Sequence, residues 1–262
     1  METISNIMYV EERDLYHPPG APVEGLHQSR RDLPSAQGLY DPRFERDACG
    51  VNFVCHLRGR ASHRIVQLGI GALCRMQHRG ALGAEVNTGD GAGLLIQVPD
   101  GLYRAVVGFD LPEAGAYATG IAFLPNVSSL ADEAMILVEA TAASEGLEVL
   151  GWRDLPVNDS MIGNAARLTK PIFRQLFLAA PVTSEGGRPT GIDLDRLVYA
   201  VRKRTEHEIS LADPEGGDAH GVYFPSLSSR TIVYKGMLTT TQLSTFFPDL
   251  TDERMESALA LV

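Results

Sequence analysis

The chain has 262 residues, 44% of them hydrophobic and 21% charged, which suits one large soluble domain or two small ones with a well-packed core. Its net charge of −10 and pI near 5.2 argue against a nucleic-acid face, which needs clustered Lys and Arg. The one basic run, Arg202-Lys203-Arg204, is followed by Glu206 and Glu208 and reads as a solvated helix face. The 3 cysteines, Cys49, Cys55 and Cys74, form no regular framework, and no apolar stretch has signal or membrane length, so a reduced, cytoplasmic chain is expected. The Asn126-Val127-Ser128 sequon is discounted on the same ground.

Residues 1–48 read as a leader, largely disordered: Pro18, Pro19, Gly20, Pro22 and Pro34 are scattered among charges with no sustained period. From Cys49 to Leu57 the chain turns apolar and predicts a buried strand, ended by Arg58-Gly59-Arg60. Ser62 is placed to cap a helix whose Ile65, Leu68, Ala72, Leu73 and Met76 share one face. That helix is expected to end at Gln77-His78-Arg79-Gly80, with Gly80 as a left-handed cap. The glycine-rich Gly89-Asp90-Gly91-Ala92-Gly93 leads into a strand at Leu94–Val98, closed by Pro99. Strands are expected at 117–124, 147–152, 172–179, 222–227 and 231–235, with helices at 129–144 and from an Asp193 cap through Leu194, Leu197, Val198 and Val201. Without strict βαβ alternation, the fold class is α+β with antiparallel sheets rather than a doubly wound parallel fold.

A lone cysteine is more often a small buried hydrophobe than a nucleophile. The setting of Cys49 reverses that reading, because it stands where a polar leader meets a strand and is followed by Gly50. A thiol with pKa ~8.5 needs a base beside it at neutral pH. Cutting the Ala48-Cys49 bond would create an α-amine of pKa roughly 7.7–8.0, so that one residue carries both nucleophile and base. A zinc site is disfavoured by the absence of paired C-x2-C or H-x3-H spacing. His207-Glu208 lacks a second histidine four residues after His207, where Leu211 stands, and so is no zincin motif. A dinucleotide loop should open a helix, whereas Gly89–Gly93 opens a strand. Cys74, Trp152 and Tyr234 read as core or sheet residues.

Three ordered stretches carry a family resemblance: Gly38 through Val51, Met76-Gln77-His78-Arg79-Gly80-Ala81, and Thr88 through Asp100. They resemble the opening of the glutamate synthase large subunit, a class II, N-terminal-cysteine glutamine amidotransferase domain. Weaker motifs at Gly151–Pro156, Val233–Met237 and Glu256–Val262 extend the resemblance over residues 38–262. It implies an Ntn-hydrolase-like αββα sandwich of antiparallel sheets over 49–262, incomplete at its C-terminus, behind a leader removed at Ala48-Cys49. Cys49 would be the nucleophile of a glutaminase half-reaction, serving glutamate synthesis from 2-oxoglutarate. Arg79 and Gly80 would support the glutamine pocket, although Arg79 equally suits a helix C-terminus, where a cation complements the dipole. Gly89, Asp90 and Gly91 would form a tight loop bringing backbone to the active site. The resemblance further implies FMN and an iron–sulfur cluster in the full-length enzyme but no cofactor or metal in this segment. It also implies an NADPH-dependent small subunit or ferredoxin as electron-donating partner, and oligomerisation. Asn52 stands where the family more often has a small residue, and the family's His-x-Arg-Phe-Ser segment would follow Val262. Residues 1–262 alone are therefore expected to be inactive towards glutamine. The alternative is a folding or interaction module in which Cys49 is inert.

Overall fold

A computed structural model describes residues 50–80, 85, 87–212 and 221–262. The leader expected over residues 1–48, with its processing site at Ala48-Cys49, lies outside the described residues. The strands are β1 (Phe53–Cys55), β2 (Ala92–Gln97), β3 (Ala118–Leu124), β4 (Glu148–Asp154), β5 (Ile172–Ala179), β6 (Thr231–Gly236) and β7 (Leu259–Leu261). The helices are α1 (His63–Arg75), α2 (Asp100–Val106), α3 (Ser128–Ser144), α4 (Asn164–Thr169), α5 (Gly191–Ala212) and α6 (Leu243–Phe246).

One sheet has the order β1-β7-β2-β6 and the other β3-β5-β4, and the registered pairs in both are antiparallel. Residues 222–228 run antiparallel along the free edge of β3, bridging at Phe123–Tyr223 and Thr119–Ser228. With that segment as a fourth strand, β3-α3-β4-β5-α5 completes a βαββαβ unit of two interleaved split βαβ motifs. This unit is inserted between β2 and β6, two neighbouring strands of the first sheet.

Side-chain alternation along β3 and β5 explains how the second sheet is covered on both faces. On one face Ala118, Ala122, Leu176 and Leu178 pack with Val138 of α3 and Leu194 and Val198 of α5. On the other, Tyr117, Ile121, Phe173 and Phe177 join a core shared with Leu94, Ile96, Tyr234 and Ala260 of the first sheet. Helix α1 enters that same core through Ile65, Val66 and Leu73. A Cβ at Gly69 would stand 2.7 Å from the Ala260 Cβ, so helix and strand meet there almost backbone to backbone.

Several local expectations are corrected. Gly80 has φ −91°, so it is no left-handed cap; α1 instead tightens into a 3-10 turn at Gln77–Arg79, with Arg79 N donating to the Met76 carbonyl. Ser62 occupies the N-cap of α1 without a side-chain cap bond, and its backbone bridges Ser257. Asp193 lies inside the first turn of a helix that starts at Gly191, and its carboxylate accepts from Arg196. Residues 222–227 make isolated bridges rather than a continuous ladder. Helix α2 follows Pro99 where the sequence showed only a strand end, because seven residues are too few to display a helical period.

Candidate functional site

The sequence-selected residues converge around Gly50. A Cβ there would lie 3.1 Å from Met76 Sδ and 3.3 Å from Arg79 Cβ, so the turn after α1 packs directly on the residue following Cys49. A Cβ on Gly80 would come 3.5 Å from Asp90 Oδ1, which closes the turn onto the glycine-rich loop. Gly89 has no room for a side chain: its Cβ would fall 2.5 Å from the Leu238 carbonyl carbon and 2.6 Å from the Thr239 nitrogen. Gly91 has φ +142°, which side-chain-bearing residues rarely adopt. These two glycines allow the loop to turn sharply and then enter β2.

An open cavity of about 510 Å³ lies over this junction, lined by Gly50, Asp90, Gly91, Tyr223, Lys235 and Leu261 among others. A smaller one of about 140 Å³ is lined by Gln77, Gly80, Leu238, Thr239 and Thr240 and shares Asp90 and Gly91 with the first. Asp90 is the one carboxylate lining either cavity among the described residues. Lys235 Nζ donates to Tyr223 Oη at 3.0 Å and lies 4.9 Å from that ring's centroid. Arg79, Gly80, Gly89, Asp90 and Gly91 are thus brought together, whereas Ala48 and Cys49 lie outside the described residues.

Sequence reasoning gave no role to Lys235, Tyr223 or the turn at 238–242. Their signal is non-local: β6 pairs with β2 in a register that sets Gly236 opposite Ala92, delivering the following turn to the glycine loop. The loop is held from behind by two more residues. Glu85 accepts from the Thr88 hydroxyl and, at 3.2 Å, from the Ala165 amide at the start of α4. Gln242, 5% exposed, bonds to the backbone of Asn87, Met161 and Thr239.

Cys74 is half-buried on α1; burial pushes its thiol pKa up, and its Sγ faces the Thr240 carbonyl at 3.7 Å. It is poorly suited to act as a nucleophile. Among the described residues no group of His, Cys, Asp or Glu gathers that could hold a metal ion. An iron–sulfur cluster, which needs several thiolates around one point, does not fit them. No helix among the described residues is long and apolar enough to cross a membrane.

The chain belongs to the class-II glutamine amidotransferases, an enzyme family whose model matches residues 49–262. The antiparallel α+β architecture accords with the Ntn-hydrolase fold of that family. The chain is 42% identical over 231 residues to the glutamate synthase [NADPH] large chain of Bacillus subtilis, covering 88% of this chain and 14% of that protein. It is 38% identical over 234 residues to the glutamate synthase [NADH] of Schizosaccharomyces pombe, covering 88% of this chain and 11% of the relative. The ferredoxin-dependent glutamate synthase 2, chloroplastic, of Arabidopsis thaliana is 36% identical over 234 residues, covering 87% of this chain and 14% of the relative. The chain therefore spans a small fraction of the length of these relatives.

Proposed function

We propose that this chain carries the glutaminase half-reaction of a glutamate synthase, with Cys49 as nucleophile after removal of residues 1–48. The observation that carries the reading is the packing of the Arg79 turn on Gly50 and of Gly80 on Asp90, beside a cavity that Gly50, Asp90 and Gly91 line. In this mechanism the α-amine of Cys49 takes the thiol proton, and sulfur attacks the side-chain carboxamide carbon of glutamine. The tetrahedral intermediate collapses to a γ-glutamyl thioester, and nitrogen leaves as ammonia with the transferred proton. Water then attacks the thioester, releasing glutamate and restoring the thiol. The glycine loop brings backbone to the pocket, and Arg79 supports the nucleophile's surroundings.

Residue Val262 pairs reciprocally with Asn52, both N···O distances being 2.9 Å. A chain continuing in that register would run past Gly50 towards Cys49. In this reading the family's His-x-Arg-Phe-Ser segment, with the arginine that would hold the glutamine α-carboxylate, would lie there. One lost oxyanion donor typically costs ~10²–10³ in rate, so residues 1–262 without the family's further pocket residues are proposed to be inactive. In a polypeptide of the relatives' length, ammonia would be used to convert 2-oxoglutarate to glutamate. FMN, the iron–sulfur centre and the contact with an NADPH-dependent small subunit or ferredoxin would lie outside this stretch, and the setting would be cytoplasmic.

The test is mass spectrometry of the natural polypeptide, with and without Cys49→Ala. A mature chain beginning at Cys49, and glutaminase activity abolished by the substitution, are expected. An active protein that retains residues 1–48, or an active Cys49→Ala variant, refutes the mechanism and leaves the interaction-module reading.

A further inference from the structure

The buried amide of Gln242 is the feature near the site that the mechanism above does not use. It stands at the N-cap of α6. Its Oε1 accepts from the Thr239 amide at 2.9 Å, and its Nε2 donates to the Asn87 carbonyl at 3.0 Å and to the Met161 carbonyl at 2.7 Å. Two carbonyls and one N–H fix the orientation of the amide, because a flip would set Oε1 against two acceptors. A single side chain therefore joins three stretches of backbone: the start of the glycine-rich loop, the segment leading to α4, and the turn after β6.

That junction bears on the site because Asn87 is two residues from Gly89, and Gly89 packs on the Leu238–Thr239 peptide that Gln242 also grips. Gly89 permits the close approach, and Gln242 fixes where along the turn the approach occurs. The next residues, Asp90 and Gly91, line both cavities. Glu85 adds a parallel tie from the same loop to the Ala165 amide, so the backbone behind the pocket is held at two points. We propose that Gln242 is a positioning residue for the glycine-rich loop, setting the backbone wall of the glutamine pocket without touching the substrate. The substrate readout of this proposal rests on the glutaminase reading.

The experiment uses Gln242→Met and Gln242→Glu in the intact natural polypeptide. Methionine keeps the volume and loses all three bonds, whereas glutamate keeps an acceptor for the Thr239 amide but sets a carboxylate against two carbonyls. Loss of at least two ordinary hydrogen bonds predicts a KM for glutamine raised about tenfold or more in both variants, with kcat less affected. Alkylation of Cys49 by iodoacetamide, which needs no pocket, should stay within about twofold of the unsubstituted protein. Hydrogen–deuterium exchange at the amides of 88–91 should accelerate about tenfold while β5 stays protected. Unchanged KM and loop exchange in either folded variant overturn the proposal. So does a uniform rise in exchange that includes β5, which marks a fold-wide effect. If the unsubstituted polypeptide does not turn over glutamine, the glutaminase reading fails, and loop exchange alone decides whether Gln242 positions the loop.

Discussion

Arg153 and Asp249 form a buried ion pair joining the βαββαβ unit to the segment after α6, and breaking it should be among the costliest single substitutions in the molecule. The side chains are 10% and 5% exposed, and the pair is bidentate, with Nη1···Oδ2 at 2.7 Å and Nη2···Oδ1 at 2.8 Å. Arg153 also donates to Gln175 at 3.0 Å, and the Tyr234 hydroxyl donates to Asp249 at 3.1 Å. Burial works against the charged guanidinium, but the Asp249 carboxylate more than offsets it and holds the Arg153 pKa above its ordinary value. Arg153→Met strands Oδ1 of Asp249 without a donor. Removing one partner of a buried pair costs about 3–5 kcal/mol, which for a domain of this size lowers Tm by roughly 6–20 °C. Arg153→Met combined with Asp249→Leu removes both charges, leaving the Tyr234 hydroxyl with the Tyr103 hydroxyl at 3.4 Å as its remaining bond. The double variant should therefore lose less than the sum of the singles, by about 2 kcal/mol or more. Thermal and urea unfolding of the four proteins measures the cycle. Strict additivity, or single variants within about 1 kcal/mol of the parent, would refute the claim that the pair acts as one buried unit.

Three further outcomes follow from the geometry. Gly89→Ala must push the Leu238–Thr239 peptide away from the loop, an overpacking cost of about 1–3 kcal/mol in unfolding, with a larger proportional loss of glutamine turnover by the intact natural polypeptide; unchanged kinetics would contradict the close approach. For Asp195, burial acts to raise the carboxyl pKa, but the Ser229 amide, the Arg230 guanidinium and the Ser228 and Ser229 hydroxyls outweigh it and hold the pKa below the usual range. A depressed folded-state pKa stabilises above the unfolded value of roughly 3.9 and ceases to do so as pH falls through the folded value. Asp195→Asn should accordingly lower Tm most at pH 5–7 and least near pH 2, and an effect that grows on acidification would reverse the sign of the argument. Cys74, held protonated by burial, should react slowly with a thiol reagent near pH 8, and Cys74→Ala in the intact natural polypeptide should leave glutamine turnover unchanged.

Much of the fold was legible because long elements carry their own periodicity. The strand expected at 172–179 is β5 residue for residue, and the helix expected at 129–144 starts one residue earlier. The short helices α2, α4 and α6 and the three-residue strand β7 are too short to show a period, and long-range contacts position them. The site divides in the same way. Arg79, Gly80, Gly89, Asp90 and Gly91 lie in two compact motifs, and each glycine needed for close approach or unusual φ marks itself in the sequence. Gln242 and Lys235 were silent because their roles depend on β6 returning beside β2 after an insertion of more than a hundred residues.

That insertion gives the βαββαβ unit a bearing on the site as well as on stability. Both backbone ties behind the glycine loop end on the stretch between β4 and β5: Gln242 reaches Met161, and Glu85 reaches Ala165. The same unit grips the far end of α6 through Arg153 and Asp249, so α6 is fixed at its start by Gln242 and just beyond its end by the ion pair. A first sheet with only β2, β6 and β7 around the cavity would leave the glycine loop anchored on one side. The inserted unit supplies the opposing anchor, and a pocket wall built from the glycine loop needs that rigidity because backbone that faces a substrate acts only when it is preorganised.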